Sequence, residues 1–129
     1  MNIIDHLSLG VSCIDKGQGF YNELMATLDV KLLANTEGFA AYGKDTVQFL
    51  IMKPENQEAA SAGNGCHVSF IANSPEAVDN FHRVAVDNGG YCAGEPGPRK
   101  AYPIPDVYTC FVRDPFGNKL EAIFAGFNQ

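Results

Sequence analysis

Two histidines and a glutamate lie in strand-like segments of this chain, and together they could hold a divalent metal ion. His6 and His67 open the similar segments HLSL and HVSF, and Glu121 lies in the strand-like run Lys119–Phe124. Imidazole and carboxylate groups are ligands of first-row divalent metals, and three protein ligands leave positions open for water and substrate. We therefore expect His6, His67 and Glu121 to hold a catalytic divalent ion (Mn, Fe, Ni, Co or Zn).

Side-chain alternation supports this metal site, because successive residues of a strand point to opposite faces of its sheet. In the strands that carry His6, His67 and Glu121, one face is wholly apolar and the other carries the candidate ligand. In the run Thr46–Met52, Gln48 is placed similarly, and we take it to correspond to Glu121 and to be a candidate fourth ligand. A lone strand histidine or glutamate is usually structural, so it is the coincidence in both halves that favours a metal.

An internal repeat positions these residues. His6 aligns with His67 at an offset of 61 residues, and each half reads as a strand, an amphipathic helix and three short strands. Asp15 and Gln18 resemble a capping box before the first helix, and Ser74 followed by Pro75 is typical of the start of the second. We predict an α+β fold of two βαβββ modules, residues 1–60 and 61–129, that form one domain. The modules should pair into a cupped mixed sheet with the helices on its outer face.

The predicted strands after each helix are separated by turns and by one long loop. Asp114-Pro115-Phe116-Gly117 suits a tight turn, and Gly94–Asp106 is an irregular, proline-rich insertion of a kind that often carries function. Tyr102 and Tyr108, near or within this insertion, are candidate proton donors, and Arg99 and Lys100 could bind a carboxylate or phosphate of the substrate. The alternative is that both tyrosines pack and both cations are solvated. Apart from the last strand, the runs are Lys31–Leu33, Phe39–Tyr42, Thr46–Met52, Tyr91–Ala93 and Tyr108–Val112.

Composition excludes several classes of function. Nine basic residues against fifteen acidic ones give a net charge of −6, which argues against binding to nucleic acid or to an anionic membrane. Neither a signal peptide nor an apolar run of about 20 residues is evident, so we expect a soluble cytoplasmic protein. The four cysteines lack C-x-x-C spacing and are expected to be reduced and mostly buried. His82, in the second helix, is expected to be structural.

These motifs resemble the vicinal-oxygen-chelate, or glyoxalase/bleomycin-resistance/dioxygenase, superfamily. Ile4–Ser12 with Phe20-Tyr21 is similar to its first module. Cys66–Phe70, Asn88–Gly90 and Phe111–Glu121 are similar to its second, and the ending D-P-x-G-x-x-x-E is the most specific part. The resemblance implies a cupped sheet around a divalent metal with His6, His67 and Glu121 as ligands, and a homodimer. Whether the modules pair within one chain or between two chains stays open.

The resemblance also limits the reaction. Glyoxalase I enzymes carry a glutamate on the last strand of the first module, where this sequence offers Gln48, which cannot act as a base. Glu121 is then the one carboxylate available as a catalytic base. We expect a divalent-metal-dependent glyoxalase-like enzyme, of the lyase/isomerase or thiol-transfer type, whose metal holds a small oxygenated substrate as a Lewis acid. The alternatives are a small-molecule-sequestering protein of the bleomycin-resistance type and an Fe(II) dioxygenase.

Overall fold

The repeat in the sequence corresponds to two copies of one structural unit. The computed structural model describes residues 3–129. The first unit consists of β1 (Leu7–Gly10), α1 (Ile14–Ala26), β2 (Lys31–Asn35), β3 (Phe39–Gly43) and β4 (Phe49–Met52). The second consists of β5 (Val68–Ile71), α2 (Pro75–Asp87), β6 (Tyr91–Pro98), β7 (Tyr108–Arg113) and β8 (Lys119–Phe124). The predicted module boundary lies in the segment between β4 and β5, which has no helix or strand.

Each unit forms its own four-stranded mixed sheet. The strand orders are β1-β4-β3-β2 and β5-β8-β7-β6. In each sheet the first strand of the unit pairs in parallel with the last, and the other neighbours are antiparallel. The predicted α+β fold of two βαβββ modules is confirmed, and β1 and β5, which follow His6 and His67, are edge strands.

The two helices begin differently. Ser74 caps α2 as predicted, because its hydroxyl accepts a hydrogen bond from the Ala77 N–H at 3.1 Å and Pro75 is the first helical residue. The capping box predicted at Asp15 is wrong, because Cys13 is the capping residue of α1. Asp15 lies in the first turn, where its negative charge interacts favourably with the positive end of the helix dipole. No helix within residues 3–129 has the length and hydrophobicity to cross a membrane.

β6 is longer than predicted and takes up the first part of the segment Gly94–Asp106, which we expected to be irregular. It continues to Pro98 with register shifts between Cys92 and Gly94 and between Gly94 and Gly97. Prolines are tolerated because β6 is an edge strand, where a missing backbone N–H does not break an inner ladder. β4, in contrast, begins only at Phe49, so Gln48 immediately precedes it.

A single apolar core joins the two modules. It contains residues of both helices and the strand residues that face them, including Phe20, Leu24, Phe49 and Phe81. α1 also packs against α2. The modules therefore meet through their helix-bearing sides. The opposite faces of the two sheets stay open, as the exposed side chains of β5 on that face show.

The prediction that the cysteines are mostly buried is wrong. Cys13, Cys66 and Cys92 are exposed, and Cys110 is buried. The reason is position: Cys13 lies at the surface start of α1, Cys66 precedes an edge strand, and Cys92 lies on another edge strand. Cys110, on the inner strand β7, faces the core.

Candidate active site

Glu121, on β8, is a buried carboxylate of the second module, with 1% of its surface exposed. Its Oε2 accepts a hydrogen bond from the Tyr102 hydroxyl at 2.6 Å, and the Thr109 hydroxyl lies 2.6 Å from the same oxygen. Thr109 Oγ1 is also 2.9 Å from the carbonyl oxygen of Ala122, and its one proton serves one acceptor at a time. Oε1 faces Nε2 of His67 at 3.2 Å. One carboxylate oxygen is thus held by hydroxyl groups, and the other is directed to an imidazole.

His67 immediately precedes β5 and lies on the side of the open face of the second sheet. Its side chain is 42% exposed. The ring packs edge-on against Phe111 at 5.6 Å between centroids, and Lys119 Nζ lies 4.9 Å from the centroid of the same Phe111 ring. The alternation predicted for this strand is confirmed, because Val68 and Phe70 pack against the core while Ser69 is exposed on the side of His67.

A cavity of about 420 Å³ opens beside this pair. His67, Glu121, Tyr102 and the C-terminal residues 126–129 are among the residues that line it. The rings of Tyr102 and Phe127 lie 5.7 Å apart and form an aromatic wall. A larger polar hollow of about 640 Å³ lies at the start of α1. We assign the site to the smaller cavity because it contains both the imidazole and the buried carboxylate.

Tyr102 and Tyr108, both predicted as candidate proton donors, have different places. Burial, followed by the hydrogen bond to Glu121 and the charge of that carboxylate, raises the pKa of Tyr102 to about 12, so its hydroxyl keeps its proton at neutral pH. Tyr108 lies on the helix-facing side of β7, where its hydroxyl donates to Asp79 of α2 at 2.7 Å. It therefore does not join Glu121, since strand alternation turns the two side chains to opposite faces.

The two cations proposed to bind substrate do not line this cavity. The Arg99 guanidinium donates to three nearby carbonyl groups, those of Glu95 at 2.6 Å, Pro98 at 3.2 Å and Gly97 at 3.4 Å. It therefore shapes its own loop. Lys100 is exposed in the turn that follows.

The structure adds two residues to the site that sequence reasoning missed. Thr109 shares a strand face with Phe111, the residue that pairs with Glu121, so strand alternation could have identified it. Phe127 reaches the cavity because the C-terminal segment folds back, with the Gln129 amide donating to the carbonyl of Ala72 at 2.9 Å. No local pattern in the sequence signals that fold-back.

His6 is not brought to this site within one chain. It lies before β1, with its side chain 56% exposed and its Nδ1 2.7 Å from a carboxylate oxygen of Asp5. In residues 3–129, the one set of three or more metal-ligating side chains that lies close together is a different one, His82, Cys92 and Glu95. Since the modules meet through their helix-bearing sides, the open faces that carry His6 and His67 do not enclose a common space in a single chain.

Comparisons with known proteins agree with the fold. The model of the glyoxalase/bleomycin resistance protein/dioxygenase superfamily matches residues 3–122. The chain belongs to this superfamily. A crystal structure of a glyoxalase/bleomycin resistance protein from Albidiferax ferrireducens T118 is 33% identical, with 97% of this chain and 100% of that chain covered and a TM-score of 0.86.

More distant structures share the glyoxalase fold. A glyoxalase-related enzyme from Fulvimarina pelagi is 15% identical, with 96% of this chain and 88% of that chain covered and a TM-score of 0.73. A superfamily enzyme from Burkholderia phytofirmans PsJN is 16% identical, with 95% and 98% covered and a TM-score of 0.73. At these identities the likeness concerns the fold. A search of curated proteins gave no relative of this chain.

The strand registers correct one predicted correspondence between the two glyoxalase modules. Ser69 of β5 pairs with Glu121 of β8, and the matching residue Ser8 of β1 pairs with Leu50 of β4. Leu50 therefore occupies the place that corresponds to Glu121, and the expectation that Gln48 does so is wrong. Gln48 lies two residues earlier, next to His6, because Leu7 pairs with Phe49. The error arose because strand parity fixes the face of a residue but leaves its register free.

The residues at this candidate site fit a divalent metal ion. Burying a carboxylate is costly unless it is paired, and Glu121 keeps one oxygen directed to the exposed side of the sheet. The 3.2 Å between Nε2 of His67 and Oε1 of Glu121 suits a hydrogen bond. It equally suits two adjacent ligands of one ion, which at bond lengths of about 2.1 Å lie about 3.0–3.4 Å apart. His67 and Glu121 would hold the ion, leaving room for a further ligand.

Proposed function

We propose that this chain is a divalent-metal-dependent enzyme of the glyoxalase type that acts on a small oxygenated substrate. Its metal ligands would be His67 and Glu121 of one copy and His6 of a second copy. The observation that carries the proposal is the buried carboxylate of Glu121, which faces the His67 imidazole at 3.2 Å at the wall of a solvent-open cavity. A glutamate with only a structural role would not need to lie at the wall of a solvent-open cavity.

A second copy is required because one chain leaves His6 apart from the other two ligands. β1 and β5 are both edge strands, so each presents unpaired backbone groups to a partner. The open faces also expose apolar side chains, among them Ile71 on β5 and Met52 on β4. A symmetric homodimer in which the first module of each chain meets the second module of the other would cover these faces and create two equal sites. The homodimer and a cytoplasmic location remain predictions.

When bound, the metal supplies Lewis acidity that holds vicinal oxygens of the substrate and stabilises a developing oxyanion. Tyr102 and Thr109 hold Oε2 of Glu121 and so fix the direction in which Oε1 points. Tyr102 also keeps a proton at the cavity wall, since its pKa is about 12. The Tyr102 and Phe127 rings favour a substrate with a flat or apolar part next to its oxygens.

The residue that corresponds to Glu121 favours one type of reaction over another. Leu50 in that place means that the two modules do not supply a pair of equivalent carboxylates. A proton shuttle between two glutamates is therefore disfavoured, and a lyase/isomerase or thiol-transfer reaction that uses a single carboxylate is favoured. Of these reactions, addition of a thiol to the bound substrate is the one that least requires a second catalytic base.

The experiment measures Mn²⁺ binding by electron paramagnetic resonance, because Mn²⁺ prefers oxygen and nitrogen ligands. We expect one ion per chain in the wild type and loss of binding in His6→Ala, His67→Ala and Glu121→Gln. When the His6→Ala and Glu121→Gln variants are mixed and allowed to exchange subunits, about half of the dimers become mixed. Each mixed dimer has one intact site of two, so about a quarter of the wild-type sites should be restored. Glu55→Gln is the matched control for Glu121→Gln, since Glu55 is exposed and lies outside the proposed site, and it should bind Mn²⁺ like the wild type.

Two results would contradict the proposal. If His6→Ala binds Mn²⁺ normally while Glu121→Gln does not, His6 is not a ligand and the shared site is wrong. If neither variant changes binding, the metal-dependent enzyme is wrong and a sequestering protein becomes the better interpretation. The reaction itself is then sought by screening thiol addition and isomerisation on metal-loaded protein. Fe(II)-dependent oxygen uptake would identify the dioxygenase alternative.

A further inference from the structure

A second group of metal-ligating side chains lies on the other side of the second sheet. His82 of α2 approaches Cys92 and Glu95 of β6, and one ligand atom from each of the three lies within 4.8 Å of the others. Cys92 pairs with Val112, a helix-facing core residue of β7, whereas Glu121 is paired with the adjacent Phe111. The group is therefore separate from the proposed active site and shares no residue with it.

The imidazole of His82 is the unusual member of this group. Its side chain is only 13% exposed, and its Nε2 atom is buried without a hydrogen-bond partner. The nearest carboxylate oxygen, Oε2 of Glu95, is 3.9 Å away, which is too far for a hydrogen bond. A buried polar atom without a partner costs free energy, so a native structure that keeps one requires an explanation. A ligand on Nε2 would supply it.

The arrangement does not suit a cysteine nucleophile. In a Cys–His–acid triad the thiol and the acid use different nitrogens of the imidazole, with the imidazole between them. Here Glu95 faces both partners: the Cys92 thiol donates to its Oε1 at 3.4 Å, and its Oε2 faces Nε2 of His82. The three groups surround a common point instead of forming a line. Nitrogen, sulfur and oxygen around one point are a ligand set typical of zinc.

We propose that His82, Cys92 and Glu95 bind a zinc ion, with water in the remaining position. On binding, the Cys92 thiol releases its proton to solvent and the thiolate bonds to the ion. Tetrahedral zinc places its nitrogen and sulfur ligands about 3.6 Å apart, so the group must contract by at most about 1.2 Å. That movement is available, since Glu95 is 78% exposed and Cys92 lies at a register shift of an edge strand.

The ion would join α2 to the edge strand β6. The two register shifts leave β6 with fewer ladder hydrogen bonds to β7 than a regular strand would have. β6 leads into the loop that carries Tyr102 to Glu121, and the Arg99 guanidinium of that loop donates to the carbonyl of Glu95. Zinc at this place therefore stabilises the strand from which that loop departs.

The first test uses Co²⁺ as the probe, because a cobalt–thiolate bond absorbs in the near ultraviolet and the proposed active site contains no thiolate. Reduced wild-type protein with two equivalents of Co²⁺, enough for this site and for the proposed active site, should show this band. Cys92→Ser should lose it, and His82→Gln should weaken Co²⁺ binding by about tenfold or more. Cys66→Ser is the matched control and should keep the band, because Cys66 is also an exposed thiol but lies next to His67 of the other proposed site. Glu121→Gln should also keep it, so failure of the proposed function and failure of this site are distinguishable.

The second test needs no variant. We expect Zn²⁺ to slow the alkylation of Cys92 by iodoacetamide by about tenfold or more, while Cys13, exposed at the start of α1, reacts at an unchanged rate. Peptide mass spectrometry measures both rates in the same sample. The proposal is overturned if Cys92 reacts equally fast with and without Zn²⁺. It is also overturned if the cobalt band is missing in the wild type, persists in Cys92→Ser or disappears in Cys66→Ser.

Discussion

The hydroxyl of Tyr21 in α1 donates a hydrogen bond to the Asp114 carboxylate in the turn between β7 and β8, and both residues are fully buried. Burial, followed by the negative charge of Asp114, raises the pKa of Tyr21 well above its ordinary value. Asn118, in the same turn, donates to the carbonyl of Gly10 at 2.9 Å. The D-P-F-G-N turn therefore fastens the second module to the first, which is a structural role for the most specific part of the family motif.

We expect Tyr21→Phe to destabilise the protein by about 1.5–3 kcal/mol, because it leaves a buried carboxylate with one donor fewer. Urea unfolding measures the difference. Tyr42→Phe is the control, since the Tyr42 hydroxyl donates to the neutral amide oxygen of Asn22, and it should cost about 0.5–1.5 kcal/mol. Equal losses in the two variants would show that the charge of Asp114 does not matter.

The second prediction concerns the stability effect of adding a side chain at Gly90, just after α2. A Cβ at this position would lie 2.6 Å from the Arg113 carbonyl oxygen and 2.8 Å from a ring carbon of Phe20. Gly90→Ala should therefore lower the free energy of unfolding by about 1–3 kcal/mol. Gly19→Ala, in the middle of α1 with no atom within 4 Å of the added methyl group, should raise it by about 0.5–1 kcal/mol. Thermal unfolding of both variants checks the opposite signs.

The third prediction concerns pH. Because the pKa of Tyr102 is about 12 when folded and about 10 when unfolded, the folded state holds its proton more tightly. This contribution to stability is fully present below pH 10 and is lost as the pH rises from 10 to 12. The stability difference between the wild type and Tyr102→Phe should therefore shrink over that range, as urea unfolding at several pH values would show.

Thr109→Val is the matched control for the pH series. It removes the other hydroxyl on Oε2 of Glu121 and has no proton that titrates in this range. Its stability difference from the wild type should stay constant between pH 10 and 12. A parallel decline in both variants would assign the pH dependence to other groups.

The fourth prediction uses the strand register and rests on the proposed metal site. Leu50→Glu places a carboxylate in the position that corresponds to Glu121, so it should raise the affinity for Mn²⁺ by about tenfold, because it adds a fourth ligand, the second that carries a negative charge. Gln48→Glu adds the same charge two residues earlier and should have a smaller effect. Titration followed by electron paramagnetic resonance measures both. A larger gain in Gln48→Glu would show that the correspondence drawn from register is wrong.

Local patterns were sufficient to predict much of the fold. The repeat gave the two βαβββ modules, Ser74 with Pro75 gave the start of α2, and the D-P-F-G sequence gave its turn, which the Gly117 N–H to Asp114 carbonyl hydrogen bond closes at 3.0 Å. Strand alternation also placed His67 on the same face as Glu121. Each of these features is set within one segment by residues a few positions apart. Periodicity and turn chemistry depend on such short separations, so the sequence is enough to predict them.

The rest was decided by tertiary structure. The register that pairs Leu50 with Ser8, the hydroxyls of Tyr102 and Thr109 on Glu121, and the meeting of His82 with Cys92 all join residues whose contact depends on how the strands and helices pack. Packing through the helix-bearing sides also left His6 on a separate open face. A sequence specifies which face each side chain occupies. Which faces meet depends on the total apolar surface that the whole chain buries, and no single segment of the sequence determines that total.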